Sequence, residues 1–83
     1  MRVLIVEDEE KTADYLHRGL TEQGYTVDVA REGVEGLHLA LENDYAVIVL
    51  DVMLPGLDGF GVLRALRAHK QTPVIIDRKS TRL

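Results

Sequence analysis

A doubly wound α/β fold built on a parallel sheet is what this chain predicts, from three observations. Residues 3–6 and 45–50 are continuous apolar runs, the kind buried on both faces of a parallel sheet. Between and after them, apolar residues recur at helical spacing. Turn-forming glycine, proline, asparagine and aspartate separate the segments. At 83 residues the chain is one small domain, burying about 60% of its unfolded surface.

The first strand is Arg2–Val6. From about Glu9 the period changes to that of a helix over 9–23: Ala13, Leu16 and Leu20 share a face. An acidic first turn complements the helix dipole, and Gly24 suits a left-handed C-cap. Tyr25–Ala30 alternates, Val27 and Val29 on one side and Thr26 and Asp28 on the other, as in an edge strand. Val34, Leu37 and Leu41 mark a second helix ending near Asn43-Asp44, and Tyr45–Leu50 is the third strand. Pro55, Gly56 and Gly59 break the segment after Asp51. Phe60, Val62, Leu63 and Leu66 then give a third helix to about His69, and Val74–Ile76 a short fourth strand. The order β1-α1-β2-α2-β3-α3-β4 is that of right-handed crossovers with helices on both faces.

Composition removes several function classes. No cysteine is present, so disulfides, thiolate zinc sites and thiol nucleophiles are excluded and any metal is held by oxygen or imidazole. A net charge of −4, from 14 acidic and 10 basic residues, argues against a phosphate-backbone footprint. No run of about 20 apolar residues exists to span a membrane, and Met-Arg followed by four apolar residues is no secretory signal. A cytoplasmic location is expected.

The chemistry gathers at two strand ends. Glu7-Asp8-Glu9-Glu10 follows the first strand and Asp51 ends the third, more than 40 residues later. In an open parallel sheet both lie at the C-terminal edge, where such folds bind ligands. Clustered carboxylates repel one another unless a cation is present, and oxygen ligands favour magnesium, manganese or calcium. A carboxylate there can attack a phosphoryl group and form an acyl phosphate. Taken singly, the acidic run also reads as a solvated first helical turn and Asp51 as a turn former; together, with Pro-Gly-Leu-Asp-Gly following, they read as a site.

Other features point nowhere further. Gly59-Phe-Gly61-Val-Leu-Arg64 lacks the third glycine of a dinucleotide fingerprint and follows a loop rather than the first strand. His17, His38 and His69 lie on three different helices, and Tyr15, Tyr25 and Tyr45 are scattered. A magnesium-dependent aspartyl phosphohydrolase and a flavodoxin-like nucleotide or flavin module are the rival readings. The first usually has an Asp two residues after its nucleophile, where Met53 stands, and the second needs glycine and hydroxyls where this chain is acidic.

Val-Leu-Ile-Val-Glu7-Asp8-Glu9 together with Val-Ile-Val-Leu-Asp51-Val-Met-Leu-Pro55-Gly-Leu-Asp58-Gly59 closely resembles the receiver domain of two-component response regulators. The second stretch looks most like the winged-helix transcription-factor class, and residues 1–76 are similar to its heavy-metal-responsive, copper-type members. The resemblance implies a flavodoxin-like fold whose strand order, 2-1-3-4-5, is the family's and is not read from this sequence. It implies a signalling module rather than an enzyme: Asp51 is the phosphoacceptor, and a sensor histidine kinase is the donor. Mg2+ (or Mn2+) would be bound by Asp8, Asp51 and the backbone carbonyl of Met53, with Glu7 acting directly or through water. Pro55 and Gly59 shape the loop. DNA would be reached only through an absent C-terminal domain.

A receiver continues beyond a fourth strand, and residues 77–83, Asp-Arg-Lys-Ser-Thr-Arg-Leu, do not follow its pattern. Neither a phosphoryl-binding Thr/Ser nor a fifth-strand Lys can be assigned. The basic tail 77–83 reads as non-native sequence introduced by truncation or a frameshift, so 1–76 is an incomplete receiver. Phosphorylation by acetyl phosphate and magnesium is therefore expected to be slow or absent; rapid, complete modification seen by mass spectrometry would contradict this. An exposed fourth strand also predicts self-association, with segment exchange as one route. Light scattering should report an oligomer at micromolar concentration, and a stable monomer would count against it.

Overall fold

The computed structural model describes residues 1–77. Four strands and three helices follow in the order β1 (Arg2–Val6), α1 (Glu10–Glu22), β2 (Thr26–Ala30), α2 (Gly33–Glu42), β3 (Val47–Asp51), α3 (Gly59–Arg67) and β4 (Val74–Asp77). All pairings are parallel and the sheet order is β2-β1-β3-β4, so the chain reverses direction across the sheet after β2. The apolar strand β1 is therefore central and β2 lies at an edge, as their sequence patterns require.

Alternation along the strands divides the core. Leu4 and Val6 of β1 join Ile48 and Leu50 of β3 in one buried cluster with Ala40 of α2 and Val62 and Leu66 of α3. Val3 and Ile5, also fully buried, turn to the opposite face, where α1 packs across β1 and β2. Each such side chain contributes about 1.5–3 kcal/mol relative to exposure.

Several boundaries differ from the sequence reading, each for a local reason. α1 starts at Glu10 because Glu9 is its extended N-cap, so Glu10 alone supplies the acidic first turn. Its C-terminal end is as expected: Gly24 has φ +94° and its N–H donates to the Thr21 carbonyl. β3 begins at Val47 rather than Tyr45, because Tyr45 is drawn into a polar cluster described below. α3 is shorter, with Asp58 as N-cap accepting from the Gly61 N–H at 2.8 Å and Ala68 as C-cap. β4 extends one residue further, to Asp77, which had been grouped with the basic tail. The rest of that tail, 78–83, lies outside the described residues.

Two apolar residues placed on helix faces by spacing prove exposed: Val34 by 62% and Phe60 by 41%. The buried stripe of α2 is instead Gly33, Gly36 and Ala40. A Cβ at Gly36 would stand 2.7 Å from Cγ1 of Val6, so the helix lies too close to the sheet for a larger residue there. Small residues, invisible to a search for bulky apolar periodicity, define this interface.

Polar groups tie down the other end of the sheet. Arg2 donates to Asp28 Oδ2 at 2.8 Å and to Asn43 Oδ1 at 3.2 Å, and its guanidinium lies 5.3 Å from the Tyr45 ring centroid. The Tyr45 hydroxyl donates to the same Asp28 oxygen at 2.7 Å. Lys70, after α3, donates to the carbonyls of Ala40 and Asn43 at 3.1 and 2.8 Å and so satisfies the C-terminal end of α2.

Burial, then the neighbouring Asp28, pushes the Tyr45 hydroxyl up to about 12 from its ordinary 10.0, with Arg2 partly opposing. The folded state thus holds this proton more tightly than the unfolded chain. Its contribution, on the order of 2 kcal/mol, is complete below pH about 10 and is lost as pH rises towards 12. Denaturant unfolding measured across that window should show a fall in stability that is absent from Tyr45→Phe; parallel curves for the two proteins would exclude this assignment.

Candidate functional site

The register of the ladder brings the acids together. Val6 pairs with Leu50, so the next residues, Glu7 and Asp51, emerge side by side at the C-terminal edge of β1 and β3. Both continue the alternation of the face opposite the main cluster, Val3-Ile5-Glu7 and Val47-Val49-Asp51. Glu7 is 2% and Asp51 1% exposed, whereas Asp8 is exposed. Oxygens of Glu7, Asp8 and Asp51 all lie within 4.8 Å of one another, the one such cluster among the described residues.

Backbone hydrogen bonds fix the two buried acids. The Glu7 N–H donates to the Ala30 carbonyl at 2.9 Å, extending the β1–β2 ladder by one step. The Glu7 carboxylate then accepts from the Glu9 N–H at 2.9 Å, which turns the chain into α1. Asp51 Oδ1 accepts from the Met53 N–H at 3.2 Å. These bonds leave the acids crowded together in a water-poor setting, where a divalent cation is the natural complement.

The donor set fits a hard cation. Magnesium–oxygen bonds of about 2.1 Å put adjacent ligands about 3 Å apart and opposite ligands about 4.2 Å apart. Three carboxylate oxygens within 4.8 Å of one another come close to that spread.

Met53 lies in the loop after β3, its side chain 60% exposed and its N–H committed to Asp51. Pro55 is exposed and Gly56, with φ +71°, turns the chain. Gly59 closes the loop, its N–H donating to the Val52 carbonyl at 2.9 Å. A Cβ at Gly59 would lie 2.3 Å from the Asp51 carbonyl oxygen and 2.8 Å from Cα of Val52, so only glycine lets α3 begin against the end of β3. Glu9 and Glu10, grouped with the acids by sequence, belong instead to the helix cap and first turn.

Two neighbours of the site were not singled out from the sequence. Asp77 pairs in register with Asp51 at the end of β4. Arg31, the residue after β2, donates from Nη2 to the Asp8 carbonyl at 2.9 Å. Its signal was available: a lone basic residue at the end of a strand, on the edge that carries the acids. A hollow of about 370 Å³ along α1, lined by Tyr15, Leu16 and Leu20, includes none of Glu7, Asp8 and Asp51. The site is a shallow acidic edge.

Residues 3–78 match the response regulator receiver domain family. Among curated proteins, the chain is 51% identical over 75 residues to the transcriptional regulatory protein HprR of Escherichia coli, covering 90% of this chain and 34% of that protein. It is 56% identical over 75 residues to the transcriptional activator protein IrlR of Burkholderia pseudomallei, covering 90% and 33%. The chain thus spans about a third of the length of the curated relatives it matches. Among solved structures, a Francisella response regulator receiver domain superposes with a TM-score of 0.86 at 39% identity, covering 95% of this chain and 69% of that one. The response regulator TrrA of Thermotoga maritima, solved in complex with Mg(2+)-BeF, gives a TM-score of 0.81 at 33% identity, covering 90% and 64%.

Replacing Gly59 by Ala should destabilise the fold by an amount near the top of the usual overpacking range of about 1–3 kcal/mol, because the clash is with backbone and cannot relax by a rotamer change. Chemical denaturation measures it, and a loss below about 0.5 kcal/mol would show that the β3–α3 junction is slack.

Proposed function

The chain belongs to the response regulator receiver domain family, and from that premise we propose that Asp51 is its phosphoacceptor, with Glu7, Asp8, Asp51 and the Met53 carbonyl forming the site for Mg2+ (or Mn2+). The observation that carries the reading is the meeting of Glu7, Asp8 and Asp51, from two distant stretches of chain, within 4.8 Å at one sheet edge.

The reaction follows from the groups present. A sensor histidine kinase presents a phosphorylated imidazole. An Asp51 oxygen attacks phosphorus, the P–N bond breaks with its electron pair returning to the ring nitrogen, and an aspartyl phosphate results. Bound at the acidic edge, the divalent cation neutralises carboxylate and phosphoryl charge, the largest requirement of phosphoryl transfer. The protein's own part is positional: β3 and the Met53 N–H hold Asp51, while the Glu9 N–H holds Glu7. Burial of Asp51 at a strand end restricts its approach to one side, which suits in-line attack.

This is a signalling module, as receiver domains are, and not an enzyme with turnover on a small substrate. Met53 stands where an aspartyl phosphohydrolase would carry its general acid, which speaks against that alternative. Its relatives are transcriptional regulators about three times as long, which supports an output through a DNA-binding domain of a longer protein and a cytoplasmic place of work. No helix among the described residues is long and apolar enough to cross a membrane. Self-association through β4 belongs to the same reading: among the described residues β4 pairs with β3 alone, and Ile75 is 58% exposed.

Prolonged incubation with acetyl phosphate and Mg2+, followed by intact-mass measurement, should show at most one slowly added phosphoryl group. Asp51→Asn should abolish it, as should removal of the metal by a chelator. Labelling that persists in Asp51→Asn would overturn the assignment.

A further inference from the structure

We infer that Arg31 is a positioning residue for the cation site, acting through the backbone of Asp8; the inference rests on the metal-binding reading just given. The three carboxylates are not held alike. Glu7 is buried, bonded through its N–H to β2 and through its carboxylate to the Glu9 N–H. Asp51 is buried within β3 and bonded to the Met53 N–H. Asp8 is exposed and lies beyond the end of β1, where no ladder bond reaches it. What ties its peptide to another element is Nη2 of Arg31, 2.9 Å from its carbonyl oxygen.

Arg31 is itself anchored. It follows Ala30, whose carbonyl receives the Glu7 N–H, and its own N–H donates to Glu35 Oε1 at 3.0 Å in the first turn of α2. Consecutive residues of the β2 end thus grip consecutive residues of the β1 end, Ala30 on Glu7 and Arg31 on Asp8. The guanidinium bonds the carbonyl rather than the carboxylate of Asp8. A direct Arg–carboxylate pair would have to break before a cation could bind, whereas this bond fixes the peptide and leaves the carboxylate for the metal.

A positional role and a purely electrostatic one predict opposite outcomes. By charge alone, a guanidinium beside a cation site weakens binding, so its removal would tighten it. For an exposed group, the high dielectric of the surrounding water weakens that repulsion. Losing the anchor frees the Asp8 peptide and weakens binding. Groups that orient metal ligands typically change affinity by about 10–100-fold; acting through an exposed backbone carbonyl, Arg31 belongs below that range.

Mn2+ titration followed by electron paramagnetic resonance, with free Mn2+ as the observed signal, tests this on the unphosphorylated chain. Arg31→Met should weaken binding by about three- to tenfold and Arg31→Lys, which keeps a donor, by less than about twofold. In an Asp8→Asn background, Arg31→Met should have no further effect, a coupling that general destabilisation would not produce. Thermal melts without metal confirm that each variant folds. Unchanged or tighter binding by Arg31→Met, or an equal loss in the Asp8→Asn background, would overturn the inference and leave the site reading intact. Failure of the unsubstituted chain to bind Mn2+ would overturn the site reading and the inference with it.

Discussion

Crowded negative charge at the C-terminal edge of the sheet is the constraint around which this molecule is arranged. Glu7 and Asp51 are almost fully buried and adjacent, with Asp8 beside them. Burying an ionised carboxylate costs several kcal/mol unless hydrogen bonds and opposite charge offset it. The fold offsets it in part with backbone N–H groups, those of Glu9 and Met53, which are rigid donors needing no reorganisation. A divalent cation held by these acids would supply the remainder.

Rigidity at that edge comes from elsewhere in the sheet. At the N-terminal edge, Arg2, Asp28, Asn43 and Tyr45 join β1, β2 and the α2–β3 connection in one polar cluster. Lys70, after α3 on the same face, closes the end of α2. With the strands pinned at one end and packed through Leu4, Val6, Ile48 and Leu50 in the middle, their other ends can hold charges that would otherwise splay them.

Glycines set how closely the helices approach. Gly36 admits the Val6 side chain, and Gly33 sits where a Cβ would lie 1.8 Å from the Leu57 carbonyl. With Gly59 against Asp51, they bring the starts of α2 and α3 to the same sheet edge as the acids. Helix starts carry partial positive charge, so this geometry also places favourable dipoles near an anionic group.

Much of this was written in the chain. Continuous apolar runs fixed β1 and β3, because strands buried on both faces are built mainly of apolar residues, and the distance between Glu7-Asp8 and Asp51 identified the acids that meet. Edges of elements were less legible: Tyr45 reads as strand by hydropathy, yet its hydroxyl is claimed by Asp28. Val34 fits a helical spacing but faces outward, because glycine contacts rather than bulk decide which side of α2 meets the sheet. Sequence by itself determined the order of elements and which acids lie at the strand ends, since both follow from local pattern. Only the tertiary structure decided that Arg31 holds Asp8 and that Asp77 sits beside Asp51, because such contacts depend on strand register, which brings together residues that no local pattern links.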